Sequence, residues 1–231
     1  MSQLALPIGL DDHAVFESFL PVGNEELVDR LLGLASGEAE GGCWLWGAPS
    51  TGKTHLLQAV CDRAGDRSVY VPIRVLADAG PALIVGLESR EIVCIDDLDV
   101  VAGRESWERA VFNLYNELLA NGGQLIVAAS MAPRECGFDL PDLSSRMSQL
   151  PTYALTMLGE DDRVAALQLR AEHRGLDLPK ETARFLLKRS RRDMTTLYTL
   201  LDRLDREALK AKRRLTIPFV RGVLEDTGDA G

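Results

Sequence analysis

The chain has 231 residues, enough to bury a full core in one large domain or in a larger and a smaller one. Its 46% apolar content and mean hydropathy of -0.03 are those of a globular chain, and no apolar run is long enough to cross a membrane. The net charge of -9 is unevenly spread: residues 1–150 carry 10 Lys/Arg against 22 Asp/Glu, and residues 151–231 carry 16 against 13. That shift predicts a domain boundary near 150 and argues against the main body lying broadly on DNA.

At the N-terminus the first basic residue is Arg30, so the positive region of a secretory signal is absent and a cytoplasmic location is expected. Within residues 1–12, Gln3-Leu4-Ala5-Leu6-Pro7-Ile8 carries apolar side chains that are costly to leave in water, and Pro7 stops a helix from running through. Such a tail is expected to dock either on its own domain or on a partner. Phe16, Phe19, Leu20 and Pro21 follow, and Asn24 is expected to cap a helix through Leu27, Val28, Leu31, Leu32 and Leu34.

After a Gly/Glu-rich turn over 37–42, the apolar run Cys43-Trp44-Leu45-Trp46 leads into Gly47-Ala48-Pro49-Ser50-Thr51-Gly52-Lys53-Thr54 and then His55-Leu56-Leu57-Gln58-Ala59-Val60. Strand, tight loop and helix in that order are the context a phosphate-binding G-x-x-x-x-G-K-[ST] loop requires. Gly47 and Gly52 allow successive N–H groups to surround an anion, and the helix adds its positive N-terminal end. Lys53 is expected to reach the β- and γ-phosphates, and the Thr54 hydroxyl to ligate Mg²⁺.

Ser68–Pro72 is a second predicted strand, residues 74–88 hold weak helical signals broken at Gly80-Pro81, and Ile92–Ile95 is a third strand ending in Asp96-Asp97. Downstream of a phosphate loop, two carboxylates at a strand end suit a Walker B site, with Asp96 holding Mg²⁺ through water and Asp97 orienting the attacking water. A long helix is predicted over 105–120, with Trp107, Ala110, Val111, Leu114, Leu118 and Leu119 on its apolar face. The strand 124–129 ends at Ser130, whose hydroxyl is placed either to reach the γ-phosphate or the water, or to cap the following loop. A helix with Leu140, Leu143 and Met147 and a strand around Tyr153-Ala154-Leu155 complete an alternating β/α series, the signature of a parallel sheet.

Arg146 lies on the helix before that last strand, at an edge expected to face away from the molecule's own nucleotide. It would then offer its guanidinium to a neighbouring molecule's ATP. From Gly159 onward only helices are predicted, over 160–174, 179–190, 193–211 and 216–225. The basic stretch Arg184–Arg192 reads either as a solvated face or as a local phosphate contact. Cys43, Cys61, Cys94 and Cys136 are dispersed and read as buried reduced thiols, and His13, His55 and His173 are scattered, so no metal cluster is expected beyond Mg²⁺.

These blocks resemble the AAA+ ATPases of the DnaA family, and more closely its Hda regulators. The resemblance runs from Gln3–Ile8 and Phe16-Glu17-Ser18-Phe19 through the phosphate loop and Trp107–Asn116 to Leu140–Arg146 and Leu215–Val220. It implies a five-stranded parallel P-loop sheet with flanking helices over 13–157, a helical lid over 158–231 and a clamp-binding tail over 1–12. By resemblance, Gln3, Leu4, Leu6, Pro7 and Ile8 dock on the DNA polymerase sliding clamp, Arg146 is the arginine finger, and Phe19 and Asn24 cover the adenine and ribose of ADP or ATP. The implied partner is DnaA, whose ATP hydrolysis is stimulated. DNA is approached indirectly through the clamp, no membrane is involved, and self-association is a further possibility. The chain stops after the lid, so the origin-reading helix-turn-helix of DnaA is expected to be absent. The arginine expected in the lid helix beginning near Asp193 is here Thr195, with Arg191 or Arg192 in reach of the same phosphates. The second reading is an autonomous AAA+ ATPase of helicase-loader type. The third is an adaptor that only binds.

Overall fold

A computed structural model describes residues 14–189, 193–211 and 214–225. The tail residues Gln3, Leu4, Leu6, Pro7 and Ile8, and also His13, Arg191 and Arg192, lie outside the described residues.

Five strands, β1 (Cys43–Trp46), β2 (Ser68–Pro72), β3 (Ile92–Asp96), β4 (Gln124–Ala129) and β5 (Thr152–Ala154), form one parallel sheet in the order β2-β3-β4-β1-β5. Alternation along the strands supplies two cores. Trp44, Val93, Ile95, Leu125 and Val127 face one side, and Cys43, Leu45, Ile92, Cys94, Ile126 and Ala128 face the other. The second face is covered by α1 (Glu25–Ser36) and α2 (Lys53–Ala64), through Leu27, Leu31 and Leu34 and through Leu56, Leu57 and Val60. The first is covered by α3 (Ile73–Leu76), α4 (Glu105–Ala120) and α5 (Pro141–Ser148), through Ile73, Trp107, Val111, Leu114, Leu118, Leu143 and Met147. The predicted parallel sheet with helices on both faces is thus the observed one.

Two local expectations differ. In α4, Leu119 is 46% exposed while Glu108 is 1% exposed. The Glu108 carboxylate accepts backbone N–H bonds from Gly103 (2.7 Å), Asp139 (3.1 Å) and Leu140 (2.7 Å), so it fixes the entry to α5. Asn24 precedes α1 but does not cap it through its side chain. Its Oδ1 accepts from the N–H of Thr156 at 2.9 Å, tying the start of α1 to the segment after β5.

The lid consists of α6 (Glu160–His173), α7 (Lys180–Arg189), α8 (Met194–Ala211) and α9 (Ile217–Glu225), each within a residue or two of its predicted bounds. Its core gathers Val164, Leu167, Leu186, Leu197, Leu201, Leu204 and Val220. Leu20 packs on this lid core, while its neighbour Phe19 packs on the core beneath α2. The four cysteines are free and buried, and no helix among the described residues is long and apolar enough to cross a membrane.

Candidate nucleotide-binding site

In a parallel sheet, functional residues gather where strands end, because helix N-termini and loops converge there. The phosphate loop leaves the end of β1, Asp96 and Asp97 stand at the end of β3, and Ser130 follows β4. Together with the lid they enclose a cavity of about 570 Å³, lined by Pro49, Ser50, Gly52, Lys53, Thr54 and His55 from the loop and α2, and by Asp97 and Ser130.

Gly52 has φ +99, in the left-handed region, and a Cβ there would sit 2.6 Å from Cε2 of Phe19. Only glycine therefore allows Phe19 to close over the loop. Lys53 Nζ donates to the carbonyls of Gly47 (2.7 Å) and Ala48 (2.9 Å), which crosslinks the loop, while Gly47 and Ala48 themselves stand off the cavity wall. Burial lowers the Lys53 ammonium from its usual range, opposed by the nearby carboxylates of Asp96, Asp97 and Asp99.

Thr54 Oγ1 donates to Asp96 Oδ2 at 2.7 Å, and the Tyr70 hydroxyl donates to the same oxygen at 2.8 Å. Asp96 is 3% exposed, and burial raises its carboxyl above the ordinary Asp range despite those two bonds. A hydroxyl and a carboxylate in contact beneath the loop are the pair of oxygen ligands Mg²⁺ takes in such sites. The residues present therefore fit a magnesium nucleoside di- or triphosphate.

Asp97, expected to orient the attacking water, and Ser130, expected either to reach the γ-phosphate or the water or to cap the following loop, are both engaged. Asp97, at φ 56 and ψ 41, accepts from Arg74 Nε at 2.7 Å, and Ser130 pairs with Asp99 through both its N–H and its hydroxyl. Arg74 and Asp99 were not singled out from the sequence. Each lies close to its partner only because β3 and its neighbours end together, although the Asp97-x-Asp99 spacing held a weak signal.

Phe19, Asn24, Thr51, Gly52 and His55 line a second, smaller void beside the first, closed by Leu158, Ala166, Met194 and Tyr198 of the lid side. His55 lies at 2.8 Å from the carbonyl of Val15 through Nε2, and its ring centroid is 5.4 Å from that of Phe19. Thr195 reaches the body, with Oγ1 3.2 Å from Ser50 Oγ. Arg146 is exposed on α5, the helix that leads into the edge strand β5, and lines neither cavity.

Residues 160–224 match the family described as "Hda, lid domain". Across 95% of this chain and 98% of its own, domain III of the replication initiation protein DnaA from Thermotoga maritima is similar in structure, with TM-score 0.76 and 21% identity. AMPPCP-bound DnaA from Aquifex aeolicus has TM-score 0.67 and 22% identity over 86% of this chain and 67% of that one. The Thermotoga maritima RuvB Holliday junction branch migration motor has TM-score 0.62 and 18% identity over 90% and 69%. At these identities the structural likenesses establish the fold. The chain thus has the fold of DnaA domain III, and within it residues 160–224 match the Hda lid family.

Proposed function

We propose that this protein is a cytoplasmic negative regulator of DNA replication initiation: a nucleotide-bound AAA+ protein that docks on the DNA polymerase sliding clamp and stimulates hydrolysis of the ATP held by DnaA. The observation that carries this reading is the position of Arg146. It is exposed on the helix before β5 and outside both cavities, which suits a guanidinium offered to transition-state charge on a neighbour's γ-phosphate. The engaged state of Asp97 and Ser130 favours holding nucleotide over turning it over. Bound ADP or ATP with Mg²⁺ supplies a polyanion between loop and lid. Lys53 and the loop N–H groups hold its phosphates, Thr54 and Asp96 its cation, and Phe19 its base.

In this reading the tail Gln3, Leu4, Leu6, Pro7 and Ile8 is the clamp ligand, and DNA is met through the clamp. A second reading, an autonomous ATPase of helicase-loader type, is favoured by the complete phosphate loop and by Asp97 on the cavity wall.

One assay separates them: ATP hydrolysis by DnaA with clamp loaded on DNA, with and without this protein. Stimulation by the wild type and its loss in Arg146→Ala is the expected result. Absence of stimulation by the wild type defeats the regulator reading, and turnover by this chain alone would support the second. Ala at Gln3 and Leu4 is expected to abolish clamp binding and leave ADP affinity intact.

A further inference from the structure

Neither Tyr70 nor Asp96 lines the main cavity, whereas Thr54 does, and the Tyr70 hydroxyl ends on the carboxylate that Thr54 also meets. Strand register brings this about. In the parallel pair β2–β3, Tyr70 stands opposite Cys94 and Pro72 opposite Asp96. Positions two apart on a strand share a face, so Tyr70, Cys94 and Asp96 all belong to the side of the sheet that α2 covers. The Tyr70 ring packs on the apolar core of that side. Its length spans the two strand residues, about 6.6 Å, that separate its own level from that of Asp96.

Three donors converge on the Asp96 carboxylate. Oδ2 accepts from the hydroxyls of Thr54 (2.7 Å) and Tyr70 (2.8 Å), and Oδ1 accepts from the N–H of Asp97 at 3.1 Å. They come from α2, from β2 and from the residue after β3, so together they fix the carboxylate against rotation. At 3% exposure Asp96 has little access to water that could replace a lost donor. The consequence falls on Thr54: with its hydrogen committed to Oδ2, its oxygen is left to serve as a ligand.

We infer that Tyr70 is a positioning residue for the cation of the bound nucleotide: its hydroxyl holds Asp96 Oδ2 in place, and through it the Thr54 hydroxyl, so that both oxygens stand ready for Mg²⁺. The inference rests on the nucleotide reading proposed above and deepens it by naming what holds the cation's ligands. Tyr70 acts through Asp96, since it lies off the cavity wall. Groups that orient metal ligands in this way contribute to metal affinity without touching the ion.

The test is calorimetric titration of the full chain with ADP, in Mg²⁺ and in EDTA, comparing wild type, Tyr70→Phe, Asp96→Asn and the double variant. The ratio of ADP affinity in Mg²⁺ to that in EDTA is expected to fall about tenfold in Tyr70→Phe, with the affinity in EDTA at its wild-type value. In the Asp96→Asn background the same change is expected to add nothing. A ratio equal to wild type in Tyr70→Phe overturns this inference alone, also where both affinities fall together, which is what a purely structural hydroxyl gives. A further loss of the ratio in the Asp96→Asn background overturns it too, because Tyr70 would then act without Asp96. If circular dichroism shows Tyr70→Phe to be unfolded, Tyr70→Leu decides by the same ratio. No ADP binding by the wild type, or none that Mg²⁺ strengthens, defeats the magnesium nucleotide reading and this inference with it.

Discussion

The hydroxyl of Ser50 in the phosphate loop lies 3.2 Å from that of Thr195 at the start of α8, a direct bond between body and lid. Ser50 is held at φ 62, a left-handed conformation that non-glycine residues adopt at some cost. Loop shape and lid position are therefore coupled before any ligand contributes. Replacing Thr195 by Val keeps the volume and removes the bond. The expected cost is about 0.5–1 kcal/mol in urea unfolding, with faster amide exchange in the first turn of α8. Identical exchange in the two proteins would show that the bond does not hold the lid.

Glu108 anchors three backbone N–H groups around the entry to α5, the helix that carries Arg146. Glu108→Ala leaves those donors in a buried site without their acceptor. Loss of about 2–4 kcal/mol in denaturant unfolding is expected, together with reduced stimulation of a neighbour's ATPase. A cost below about 1 kcal/mol would mean that water replaces the carboxylate.

Gly42 precedes β1, and a Cβ there would stand 1.8 Å from the carbonyl oxygen of Leu125 in β4. That neighbour is backbone in the middle of the sheet and cannot move aside without breaking the β1–β4 pairing. Gly42→Ala is expected to cost more than about 4 kcal/mol and to reduce the yield of folded protein sharply. Wild-type melting behaviour of that variant would contradict the observed approach of the two strands.

Burial raises the Asp96 carboxyl above its unfolded value, so in the pH window between the two values the folded state binds more protons. Stability contributed by this group is therefore greatest below the unfolded pKa of about 3.9 and declines as pH rises to the folded pKa. Asp96→Asn has no such titration. The melting temperature of the variant relative to wild type is expected to increase with pH across that window and then level off, while Mg²⁺-dependent nucleotide affinity falls. A difference that is constant from pH 3 to 7 would refute the linkage.

The four lid helices, the five strands and the phosphate loop were legible in the sequence because each depends on local periodicity or on residues within a few positions. The continuous apolar run Cys43-Trp44-Leu45-Trp46 already implied a buried strand, and the spacing from Gly47 to Thr54 already implied a phosphate cradle. Asn24 was correctly placed at a helix start, yet its side chain is used by Thr156, far along the chain. Glu108 sits in a helical pattern that reads as a polar position, and only the packing of residues 139 and 140 against α4 explains its burial.

The chain by itself therefore determined the order of elements and the change from alternating strands and helices to helices alone. The tertiary structure decided that Arg74 occupies Asp97, that Asp99 occupies Ser130, that Thr195 meets Ser50, and that Tyr70 reaches Asp96. The reason is physical: propensity and motif spacing act over a turn or a strand. Which charges meet is set by where separate elements end once the sheet and lid have packed.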